Sequence, residues 1–144
     1  IQQGLFRVDF LGRLDIISRK PWFIVDSAHN IDSFIALRDY VVNTLKPKRT
    51  FMIFSLLKDK DVDAIMNTLD FVEKIFLVEL PKPRGMSIEK LTNSAQKHSL
   101  CYEVKELNDA INNLISYEDD IAIVIAGSTY LAGKFYFDFF VNCR

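Results

Sequence analysis

The sequence predicts an α/β fold: a three-layer domain whose mostly parallel sheet of about six strands carries one antiparallel edge strand, with helices on both faces. Three observations carry this. Short β-branched and aromatic runs alternate along the chain with segments of helical period. Runs such as "WFIV" and "IAIVIA" are continuously apolar rather than alternating, as strands covered on both sides must be. The first two runs are separated only by Arg19, Lys20 and Pro21, too short for a crossover, so they must run antiparallel if they pair.

Taken in order, "RLDIIS" and "WFIVD" read as that hairpin. Ile31, Phe34, Ile35, Val41, Val42 and Leu45 mark the inward face of a first helix, and "TFMIFS" is the next strand. Val62, Ile65, Met66 and Leu69 mark a second helical face, followed by the strand "IFLVEL". Ser87 starts a helix with Ile88, Leu91 and Ala95 inward, and "CYEV" is a brief strand. Ala110, Ile111, Leu114 and Ile115 face inward from another helix, and "IAIVIA" precedes the last, which starts near Thr129. The aromatic run "FYFDFF" reads as a helix packing face or a domain contact.

A chain of 144 residues is one domain's worth and buries roughly 70% of the surface its unfolded form exposes. A net charge of -1 supplies no basic field for nucleic acid. Cys101 and Cys143 lie far apart with no C-x-x-C, which fits reduced thiols and a cytoplasmic location better than a disulfide framework. The start, "IQQGLFRVDF", has no basic region followed by an apolar core, and the apolar stretch 121–141 is broken by Gly127, Gly133, Lys134 and Asp138, so no membrane span is expected. A first residue of Ile rather than Met suggests a processed product or an excised piece of a longer chain.

In open α/β sheets ligands bind beyond the carboxyl ends of the strands, where helix N-termini offer unpaired N–H groups. Asp26 ends its strand there, and Ser27, Ala28, His29 and Asn30 form the turn into the helix. Asn30 is a good helix cap and His29 equally suits a plain surface position, so function and local structure both account for this turn. Lys58, Asp59, Lys60 and Asp61 occupy the next strand end; Asp61 suits a cap, and the others suit either a solvated loop or a grip on charge. Arg84 stands in the stiff loop "PKPRGMS". Gly127 and Ser128 turn "IAIVIA" into the last helix, where a carboxylate or phosphate could sit and where Ser128 could equally be a cap.

There is no G-x-x-x-x-G-K-[ST], no G-x-G-x-x-G and no G-x-S-x-G. Two histidines and no cysteine cluster predict no metal site. The chain reads as half of an active site.

In order, "GRLDII" (12–17), "VDSAHN" (25–30), "KDKD" (58–61), "KPRGMS" (82–87) and "AGSTYLAG" (126–133) resemble the C-terminal domain of the folylpolyglutamate and dihydrofolate synthases, relatives of the Mur ligases. The resemblance covers nearly the whole chain and implies a Rossmann-like domain, 1–144, with about 1–10 as an interdomain linker. It implies ATP-dependent ligation, in which a folate or dihydropteroate carboxylate is activated as an acyl phosphate and attacked by the amino group of glutamate. ATP and Mg would be held mainly by an N-terminal ATP-binding domain of the same polypeptide, absent from this chain and its expected partner. Arg13 then looks like the arginine reaching the ATP phosphates, and Asp26 like the carboxylate near the ribose. His29 looks like the histidine near glutamate and the reacting centre, and Ser128 like part of the glutamate-accepting segment. Asn30, Lys60, Asp61 and Arg84 would support the cleft loops.

Some positions depart from the family pattern. Ser27 stands where glycine is usual and is expected to strain its turn, Ile31 and Leu11 stand where proline is common, and Asp15 replaces a glutamate. Another Mur-type amino-acid ligase and a non-catalytic binding domain are the alternatives.

Overall fold

The computed structural model describes residues 13–116 and 120–141, with side chains up to 139; the expected linker at about 1–10 lies outside the described residues. The elements are β1 (Asp15–Arg19), β2 (Trp22–Val25), α1 (Ile31–Asp39) widening into a π-type turn (Tyr40–Leu45), β3 (Arg49–Phe54), α2 (Val62–Met66) and β4 (Lys74–Leu77). There follow α3 (Ile88–Lys97), β5 (Tyr102–Val104), α4 (Leu107–Ile115), β6 (Ile121–Ala126) and α5 (Thr129–Tyr136), which also widens at its end (Phe137–Val141).

The strands form one sheet in the order β1-β2-β6-β3-β4-β5, with β1 antiparallel to β2 and all other pairs parallel. The chain steps outward from β2 through β3 and β4 to β5, then returns to insert β6 between β2 and β3. Right-handed crossovers in these opposite directions place helices on opposite faces. Accordingly Phe34, Val62, Ile65 and Leu91 of α1 to α3 share one core cluster. Ala110, Ile111, Leu114, Leu131 and Phe135 of α4 and α5 share the other.

Every residue of β6 has 0% exposure, because its even and odd side chains enter different cores. Each of its buried isoleucines contributes roughly 1.5–3 kcal/mol through burial. The hairpin, by contrast, is an edge, and its register shifts between Ile16 and Ser18, leaving Ile17 exposed.

Two helical faces differ from the sequence expectation. The buried stripe of α1 and its π-type turn is Phe34, Leu37 and Val41, while Ile31, Ile35 and Val42 are exposed. At about 100° per residue these three lie on a flank of the stripe. Reading them as one broad face overestimated how much helix the sheet covers. Ile115 is likewise exposed, at the final position of α4. No helix among the described residues is long and apolar enough to cross a membrane.

The registers align the strand ends that matter. Val25 faces Ile125 and Phe54 faces Ala126, so Asp26, Gly127 and Ser55 follow at one carboxyl edge. The Asp26 N–H extends the ladder to the Ile125 carbonyl at 2.9 Å, and the Gly127 N–H donates to the Ala28 carbonyl at 2.9 Å. Gly127 adopts φ +125, and a Cβ there would lie 1.8 Å from the Ser55 carbonyl oxygen. Gly127→Ala is therefore expected to destabilise the fold by about 3 kcal/mol or more, measured by urea unfolding. A loss below about 1 kcal/mol would show that the approach relaxes easily.

Candidate functional site

Asp26 sits where β2 leaves the sheet, half-buried. Its Oδ1 accepts from the Ala28 N–H at 2.7 Å, an Asx-type turn that orients the carboxylate. Its Oδ2 reaches back along the hairpin and accepts from the Leu14 N–H at 2.9 Å. Leu14 has φ 48, a left-handed conformation uncommon for its residue type. Burial pushes the Asp26 carboxyl above the ordinary aspartate range, against the opposing pull of those two N–H groups and of the charges on Arg13 and His29. Arg13 itself is exposed, directly before Leu14. A second carboxylate also ties this strand down: Asp15 accepts from the Tyr136 hydroxyl at the end of α5.

The next turn is held by Ser33. Its hydroxyl accepts from the N–H groups of His29 and Asn30, each at 3.1 Å, and donates to the Asn30 carbonyl at 2.9 Å. Asn30 Oδ1 accepts in return from the Ser33 N–H at 2.8 Å, so Asn30 is the helix cap. His29 Nδ1 lies 2.9 Å from the Ser27 carbonyl oxygen. A carbonyl only accepts, so Nδ1 carries the hydrogen, and Nε2 is the acceptor of the neutral ring. Ser27 causes no left-handed strain: among the described residues the non-glycine positions with positive φ are Leu14, Lys46 and Ser99. The strain expected of serine there is absent because the turn runs through negative φ.

A second group of loops stands beside this one. Asp61 caps α2, accepting from the Ala64 N–H at 3.2 Å, with Lys60 half-buried just before it. The loop after β3 pairs with the loop after β4: the Lys58 N–H donates to the Arg84 carbonyl at 2.9 Å, and the Met86 N–H to the Leu56 carbonyl at 2.8 Å. Arg84 then crosses to the last helix, donating to the Tyr130 hydroxyl at 2.5 Å with its guanidinium 5.7 Å from the ring centre. Ser128 is buried, and its Oγ accepts from the Leu131 N–H at 3.0 Å. Its hydroxyl thus serves as a cap, while the first-turn N–H groups of Thr129 and Tyr130 have no acceptor within the helix.

The structure therefore brings Arg13 and His29 beside Asp26; Lys60 and Asp61 follow in the loop that bonds to Arg84, Arg84 reaches Tyr130 in the helix that Ser128 caps, and the Gly127 to Ala28 hydrogen bond links the first and last turns. Sequence reasoning missed two participants. Tyr130 is the anchor of Arg84, and Ser55 closes β3 with a fully buried hydroxyl that has no hydrogen-bond partner among the described residues. A serine ending the apolar run "TFMIFS" was the available signal for the latter. Among the described residues no group of three or more His, Cys, Asp or Glu side chains could hold a metal ion.

A mostly parallel sheet with basic and acidic side chains on its carboxyl edge is the arrangement in which open α/β domains bind ligands. The family of the Mur ligase glutamate ligase domain matches residues 12–129, and the chain belongs to that family. The dihydrofolate synthase/folylpolyglutamate synthase of Mycobacterium tuberculosis is 28% identical over 151 residues, which cover 92% of this chain and 31% of that protein. The folylpolyglutamate synthase of Lacticaseibacillus casei is 31% identical over 137 residues, covering 92% and 30% respectively. The chain thus spans about a third of the length of the curated relatives it matches.

Among solved structures, M. tuberculosis folylpolyglutamate synthase complexed with ADP superposes with a TM-score of 0.81 at 26% identity, over 90% of this chain and 32% of that one. E. coli FolC in complex with DHPP and ADP gives 0.82 at 20% identity, over 93% and 32%, and shows the shared fold.

The raised Asp26 makes a signed prediction. A carboxyl whose folded pKa exceeds its unfolded one contributes stability that is complete below the unfolded value, about 4, and is lost as pH rises through the folded value. Asp26→Asn cannot titrate. Its melting temperature relative to the native chain should be more favourable at pH 7 than at pH 3, and a relative value that falls between those pH values would contradict the burial argument.

Proposed function

We propose that this chain is the C-terminal, closing half of an ATP-dependent ligase that adds L-glutamate to a folate or dihydropteroate carboxylate through an acyl phosphate. The observation that carries this reading is the clustering of Arg13, Asp26 and His29 at the carboxyl edge of a domain of this family. The names of the relatives, folylpolyglutamate and dihydrofolate synthases, supply the substrate class, and the ADP complex of the M. tuberculosis enzyme supports the nucleotide. Residues 1–144 form one domain, joined through about 1–10 to an N-terminal ATP-binding domain of the same polypeptide. The reaction runs in the cytoplasm. The Mg accompanying ATP would be held by the N-terminal domain, as the resemblance to the family implies.

The substrate carboxylate attacks the γ-phosphorus and ADP departs. The glutamate amine then attacks the acyl carbon, phosphate leaves, and the nitrogen gives up a proton. Arg13 would spread the charge developing on the phosphoryl oxygens. His29, with Nδ1 committed to the Ser27 carbonyl, has Nε2 available to accept a proton from the incoming amine. Asp26 would stand near the ribose, while Ser128 and the first-turn N–H groups after it would receive a glutamate carboxylate. The Lys60 N–H bond to Leu57 and the Asp61 cap shape one cleft loop and Asn30 another, and Arg84, bonded to the first at Lys58, braces it against α5. Closure of the two domains excludes water and spares the acyl phosphate for the amine.

The test is glutamate-dependent ADP release by the full-length protein carrying this chain, with dihydropteroate and tetrahydrofolate offered in parallel. Release is expected with at least one of them, and Arg13→Ala and His29→Ala should each lower turnover about 100-fold or more while the domain still melts cooperatively. Release only with a cell-wall precursor would assign the chain to another amino-acid ligase. No release with any acceptor would favour a binding domain.

A further inference from the structure

We infer that Asp26 is the positioning residue for Arg13, acting through the Leu14 N–H, an inference that rests on the function proposed for Arg13 above. The base of this contact is rigid. The Asp26 N–H is locked to the Ile125 carbonyl of β6, a strand with no exposed residue. The Oδ1 bond to the Ala28 N–H then fixes the carboxylate plane. With both torsions set, Oδ2 is left facing the far side of the hairpin, 2.9 Å from Leu14 N.

What it holds there needs holding. Leu14 lies at the open end of an edge strand whose pairing slips between Ile16 and Ser18, and its φ of 48 is a conformation that its side chain opposes. The Asp26 bond spans 12 residues and reaches the amide next to Arg13. A long, exposed arginine swings through a wide volume when its backbone is loose, so fixing the neighbouring peptide limits where the guanidinium can reach. Tyr136 on Asp15 secures the next residue of the same strand, so Arg13 springs from a segment pinned at consecutive positions.

The side-chain type follows from the task. A carboxylate accepts on both oxygens, whereas an asparagine would accept on one and turn its NH₂ against the other N–H. A contact serving only a ligand would not need both oxygens bound to backbone N–H groups, nor a site whose burial disfavours the charge. Lone pairs remain on both oxygens for a ligand, so positioning and nucleotide contact are compatible.

The test is a double-mutant cycle in the full-length protein, read as kcat and KM for ATP with saturating glutamate and pteridine substrate. Asp26→Asn should lower kcat at least about tenfold, a loss separate from any rise in KM for ATP that follows from its place near the ribose. In the Arg13→Ala background the same substitution should cost no more than about twofold further, since the group it positions is gone. Equal losses in both backgrounds would overturn the inference and leave the role of Arg13 standing, as would an unchanged kcat whatever the KM for ATP. Normal turnover of Arg13→Ala would overturn both. Should Asp26→Asn fold poorly, NMR of the full-length native protein decides the contact itself. The Leu14 and Ala28 amide protons should titrate together with the Asp26 carboxyl carbon, and a Leu14 amide that ignores that titration would remove the premise.

Discussion

The carboxyl edge of this domain depends on a single close approach, the passage of the Gly127 backbone against the Ser55 carbonyl, where a Cβ would stand only 1.8 Å from the oxygen. Because β6 lies between β2 and β3, its exit passes through a gap set by both neighbours. A glycine with φ +125 passes through and directs its N–H to the Ala28 carbonyl, tying the first βα turn to the last one. Ser128 can then begin α5 immediately, and the loops carrying His29, Lys60 and Arg84 end up side by side. The register of buried strands thus becomes the geometry of a site.

Within that frame the polar residues do two kinds of work. Asn30, Asp61 and Ser128 each satisfy helix N–H groups, which stabilises the fold while aiming the adjacent residues. Asp26 is different, because its burial disfavours the charge it carries while two backbone N–H groups hold the carboxylate in place. A half-buried carboxylate at a strand end, with its charge disfavoured, fits a functional role better than a purely structural one. The buried Ser55 hydroxyl, without a hydrogen-bond partner among the described residues, is a local cost at the same edge.

Much of this was legible in the residues. The short link through Pro21 dictated an antiparallel hairpin, and the continuous apolar run "IAIVIA" dictated a strand covered on both faces, which is β6. Asn30, Asp61 and Ser128 follow capping chemistry that depends only on local sequence. What lay beyond reach depended on long-range geometry. The position of β6 inside the sheet is a choice of topology, invisible to periodicity. The Leu14 to Asp26 bond and the Arg84 to Tyr130 bond join residues 12 and 46 positions apart, and no local pattern encodes them. Ile31, Ile35 and Val42 misled because an apolar residue on a helix flank looks the same in sequence as one in the core stripe.

The central claim is that this edge forms one wall of a nucleotide-dependent ligase cleft. A crystal structure of the full-length protein with a non-hydrolysable ATP analogue and glutamate tests it most directly. The account predicts the Arg13 guanidinium within hydrogen-bond distance of a phosphate oxygen, with His29 and the first turn of α5 facing the same closed cleft. An Arg13 turned to solvent, with the nucleotide enclosed by other surfaces, would contradict it.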